Sequence, residues 1–64
     1  MNNELRAKIE KLDNVERILY NYERGYLLEK ITVYVYSGVK YVAGDEEELI
    51  LVLDALYRIQ TRLN

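Results

Sequence analysis

The chain has 64 residues, a formal net charge of −2, and neither cysteine nor histidine. That excludes disulfides and thiolate or imidazole metal sites, and the mild acidic balance gives no general pull toward nucleic acid or an anionic membrane. A chain this short buries only roughly 60% of the surface its unfolded form exposes, and of the usual supports for so small a core only self-association is left open.

Half of the residues are hydrophobic and 31% are charged, a composition that folds as one domain, residues 1–64. The longest unbroken apolar run, Leu49–Leu53, is far too short to span a bilayer. Met1-Asn2-Asn3-Glu4 shows no basic stretch leading into an apolar one, so the expected location is cytoplasmic.

From about Asn3 to Arg24 the apolar positions Leu5, Ile9, Leu12, Val15, Leu19, Tyr22 and Tyr26 recur every three or four residues. This predicts one long helix, with Gly25 as its left-handed C-cap. Asp13 followed by Glu16 also reads as a capping box, which would break the helix near Leu12 into two. The apolar stripe keeps its phase there, which favours one continuous helix.

From Leu28 to Tyr36 the period becomes two. Ile31, Val33 and Val35 alternate with Thr32, Tyr34 and Tyr36, all β-branched or aromatic. Ser37-Gly38 is read as a two-residue hairpin turn and Val39–Ala43 as the returning strand. In that register Val35 faces Lys40 and Tyr34 faces Tyr41. Ile31, Val33, Val35 and Val42 then share the core face, and Tyr34, Tyr36 and Tyr41 cluster on the other.

Asp45 with Glu48 reads as an N-cap and capping box, and Glu46 and Glu47 place further charge at the positive end of a last helix, about 46–63. Leu49, Val52, Leu53, Leu56, Ile59 and Leu63 form its broad apolar stripe. Ile50, Leu51 and Tyr57 fall outside that stripe, which marks them for a subunit interface. The expected fold is therefore a small α+β domain, α-β-β-α, forming a homodimer.

Catalysis has little to stand on. No triad can be assembled without His or Cys, Ser37 is the single serine, and no phosphate-cradling glycine loop occurs. No catalytic residue, metal site or cofactor is assigned. The expectation is a non-enzymatic protein-binding module, of the kind that serves as a small inhibitor or anti-defence factor of a phage or other mobile element. Its partner surface would be Tyr34, Tyr36 and Tyr41 with Asp45, Glu46 and Glu47 beside them. Two alternatives stand beside it: a nucleic-acid-binding regulator using the Tyr/Lys hairpin or the bases Arg6, Lys8, Lys11 and Arg17 of the first helix, disfavoured because no basic stripe accompanies the rings and acids are interleaved among those bases, and a structural subunit of a larger assembly.

Overall fold

A computed structural model describes residues 2–63, the last of them by its backbone alone. The chain runs α1 (Asn3–Glu10), β1 (Val15–Glu23), β2 (Leu27–Val35), β3 (Lys40–Ala43) and α2 (Glu46–Leu63). It is a small α+β fold in which two helices accompany one antiparallel sheet of order β1-β2-β3. No described helix is long and apolar enough to cross a membrane.

The long first helix is corrected. Helix α1 stops at Glu10, and Val15–Glu23 is a strand, so the order is α-β-β-β-α. At eight residues α1 is too short to persist by propensity alone. Asn2 caps it by accepting from the Leu5 backbone N–H at 2.8 Å, and the fully buried Leu5 pins it to the core. The chain does break near Leu12, but into a strand and not a second helix. Gln60 of α2 secures that break: its Oε1 accepts from the Asp13 N–H and its Nε2 donates to the Lys11 carbonyl, both at 2.8 Å.

Strand β1 is then built from residues that favour a pleat, Val15, Ile18, Tyr20 and Tyr22. Gly25 is not a helix cap. Arg24 and Gly25 have φ of 55° and 81°, and the Tyr26 N–H donates to the Glu23 carbonyl at 3.3 Å. Two successive left-handed residues are the backbone of a hairpin turn whose twist suits the flanking strands.

The second hairpin is corrected by one residue. The Gly38 N–H donates to the Val35 carbonyl, and the Val35 N–H to the Val39 carbonyl, so the loop is Tyr36-Ser37-Gly38. Gly38 has φ of 95°, the left-handed position that closes a three-residue loop. The pairs become Thr32 with Val42, Val33 with Tyr41 and Tyr34 with Lys40. A one-residue slip exchanges the faces of a whole strand, so Tyr41 moves to the side of Val33 while Lys40 and Val42 join Tyr34. The three-tyrosine cluster is thereby dispersed.

The core is one cluster: Leu5, Leu12, Ile31, Val33, Val35, Ala43, Leu49, Leu53 and Leu56. Ile9, Val15, Ile18, Tyr20, Leu28, Ile50 and Val52 pack partly against it. The α2 stripe is narrower than its sequence pattern, since Ile59 is half exposed; the side chain of Leu63 lies outside the described residues. The capping box at its start is present: the Glu48 N–H donates to Asp45 Oδ1 at 2.8 Å, and Glu48 Oε1 accepts from the Gly44 N–H at 3.1 Å.

Two stability outcomes follow. Leu5→Ala should cost about 2–5 kcal/mol in urea unfolding followed by circular dichroism, because it empties the buried anchor of α1. Arg24→Asn should raise Tm by a few degrees, since Asn tolerates a left-handed φ at roughly 0.5 kcal/mol less strain than Arg. An unchanged Tm would place the strain of that turn elsewhere.

Candidate functional site

Cross-strand pairing arranges one face of the sheet in rows. The first row is Arg17, Tyr34 and Lys40, the next Leu19, Thr32 and Val42, and the third Asn21 with Lys30. Their neighbours along the strands, Ile18, Tyr20, Ile31, Val33 and Val35, point the other way into the core under the helices. No described helix lies over the face of the rows. Leu19 remains 39% exposed and Val42 57%, whereas Thr32 between them is only 4% exposed. Beyond a bulge at Asn21/Tyr22, Glu23 pairs with the exposed Leu27 at the far end.

Within the three rows every charge is positive, in a protein whose net charge is negative. The Arg17 guanidinium carbon lies 4.3 Å from the centroid of the Tyr34 ring, a cation–π contact that holds both side chains down on the sheet. An aliphatic centre is thus bordered by a preordered cationic and aromatic row. Leu19 and Arg17 lie outside the protein-binding surface expected from the sequence, because a helical spacing of residues 15–23 places neither beside the tyrosines. The alternation of Ile18, Tyr20 and Tyr22 with Arg17, Leu19 and Asn21 is the signal that could have found them.

The sequence-predicted positions separate. Tyr34 is half-buried on the open face, Tyr36 lies exposed in the hairpin loop, and Tyr41 sits on the helix side of β3. Asp45, Glu46 and Glu47 are exposed at the start of α2. Asp45 is engaged in its cap, and Glu46 Oε2 accepts from the Tyr20 hydroxyl at 3.1 Å. Ile50 packs partly into the core. Tyr57 is exposed with Lys11 Nζ 5.8 Å from its ring centroid, and Leu51 is 68% exposed.

One hollow, about 440 Å³ and open to solvent, is lined by Asn2, Tyr20, Tyr22 and Glu46. Loss of solvent around Tyr20, with the Glu46 carboxylate accepting its proton bond, pushes the phenol from 10.0 up to about 12. The protonated phenol is therefore favoured by the fold. Its contribution to stability is complete below pH 10 and is lost as pH rises toward 12.

The chain matches no protein-family model, no curated protein and no solved structure.

An ultraviolet titration should resolve one tyrosine ionising at about pH 12. Tyr20→Phe should remove that step, and Glu46→Gln should bring it down toward the ordinary tyrosine range. A late step that survives Tyr20→Phe would assign it to another ring.

Proposed function

We propose that this protein is a non-enzymatic protein-binding module, working as a homo-oligomer, whose docking surface for a partner protein is the open face of the sheet. The observation that carries the reading is the exposed pair Leu19 and Val42 beside the Arg17–Tyr34–Lys40 row. Protein interfaces favour an apolar centre with a polar or charged border, and aromatic and Arg side chains dominate their binding energy. The cations of the border suit a partner surface that carries carboxylates. A non-enzymatic role is supported by the lack of histidine, cysteine and any serine besides Ser37. A chain of this size that occludes another protein's surface would serve as an inhibitor, and a phage or other mobile element is a source consistent with its length.

A second reading, single-stranded nucleic acid, is favoured by Arg17, Lys30 and Lys40 lying on one face. It ranks below the first because sheet platforms for bases present two or three stacking rings. Here the open face holds Tyr34 alone in its three rows, with Arg17 already on that ring.

The test compares affinity capture by the wild type with capture by Leu19→Glu/Val42→Glu, two exposed positions that leave the core intact. Proteins recovered by the wild type should be lost, at least tenfold, with the variant. A fluorescent oligonucleotide should not bind even at low salt, where phosphate contacts are strongest. Equal recovery by both proteins would remove the open face from the reading, and tight oligonucleotide binding would replace the reading with the second.

A further inference from the structure

Helix α2 carries a second exposed apolar stripe that the core does not use. Its contacts with α1 occupy one flank: Asp54 pairs with Lys8 Nζ at 2.7 Å, Tyr57 lies near Lys11, and Gln60 bonds the Lys11–Asp13 segment. Leu49, Leu53 and Leu56 point into the core. At about 100° per residue, Glu48, Leu51, Ala55, Ile59 and Arg62 line the flank turned away from α1. Leu51 is 68% and Ile59 49% exposed, and Ala55 between them is half-buried.

This stripe is complementary to itself when reversed. Leu51 and Ile59 each stand four residues from Ala55, and Glu48 and Arg62 each stand seven. A two-fold axis through Ala55 sets Leu51 against Ile59 of a second copy, Ala55 against its equivalent, and Glu48 against Arg62 of that copy. Apolar meets apolar, carboxylate meets guanidinium, and the small residue falls at the crossing, where two helix axes must come closest. The parallel arrangement has no such match, since it would pair Glu48 with Glu48 and Arg62 with Arg62.

We propose that the occupant of this flank is a second copy of the chain, packed antiparallel as an α2–α2 pair about Ala55. This rests on the homo-oligomer part of the proposed function and gives it a geometry. It assigns the interface to Leu51 and Ile59, while Ile50 serves the core and Tyr57 the contact with α1. The cationic rows of the sheet do not offer the same match, because pairing that face with its copy would crowd Arg17, Lys30 and Lys40 together.

Sedimentation and oxidative cross-linking test this directly, helped by the absence of native cysteines. The wild type should sediment as a dimer, and Ala55→Cys should cross-link to dimer on mild oxidation while Arg17→Cys on the sheet does not. Leu51→Glu and Ile59→Lys should each weaken the dimer at least tenfold, and the double variant should restore it, because the introduced charges meet across the axis. Both positions are exposed, so circular dichroism should show each variant folded. A wild-type monomer at millimolar concentration would overturn both this geometry and the homo-oligomer reading. A wild-type dimer unaffected by Leu51→Glu and not cross-linked through Ala55→Cys would overturn the geometry alone.

Discussion

The inward row of β2 is the contact on which the rest of the fold depends. Ile31 and Val33 are fully buried and Val35 nearly so, meeting the helix layer that contains Leu49, Leu53 and Leu56. A hairpin of two strands is marginal in water, and an eight-residue helix is too. Here β2 is shared by two hairpins, and each edge strand is completed by pairing with it. Because β2 is central, its residues Ile31–Tyr34 are paired on both sides, and burial of its side chains fixes register for all three strands at once. The short α1 adds Leu5 to the same cluster and is tied down by the α2 side chains Asp54 and Gln60.

That arrangement explains which parts of the fold were legible from sequence. Helix α2 was, because its cap residues and its apolar positions agree: Asp45 and Glu48 close the start, and Leu49, Leu53 and Leu56 recur at helical spacing. Strand β2 was legible because β-branched residues alternate with Thr32 and Tyr34. Strand β1 was not, and the reason is physical. It carries apolar residues on both faces, Ile18 and Tyr20 inward and Leu19 on the open side, so its sequence fits a helical spacing as well as an alternating one. Arg24-Gly25 compounds the ambiguity, since a cation before a glycine is equally the signature of a helix end. The alternation is present in the sequence, but it competes with the helical spacing, and the long-range pairing of β1 with β2 is what selects it.

The loop at Tyr36-Ser37-Gly38 shows how little separates two opposite surface readings. Whether the turn holds two residues or three is settled by where the left-handed glycine sits, and sequence alone allows both. The outcome decides whether β3 adds Tyr41 or Val42 to the open face. With Val42 there, that face becomes aliphatic at its centre and cationic at its border, and the expected aromatic patch does not form. Residues on strand faces are thus placed by the register, whereas the Asp45–Glu48 cap is placed by local bonds and does not depend on it.

The two exposed surfaces also constrain each other. The rows of Leu19, Thr32 and Val42 lie on the side of the sheet away from the helices, whereas Leu51, Ala55 and Ile59 lie on a helix. A dimer joined through α2 would therefore leave both open sheet faces accessible, one on each copy. Two linked docking faces engage a repeated or dimeric partner with an effective concentration that a single face lacks, so modest contacts at each face would suffice. For a chain with so small a core this is a favourable division. On the proposed reading, the exposed apolar side chains of α2 would complete the assembly and those of the open sheet face would recognise a partner, and neither role would compete with the buried row of β2 that holds the protein together.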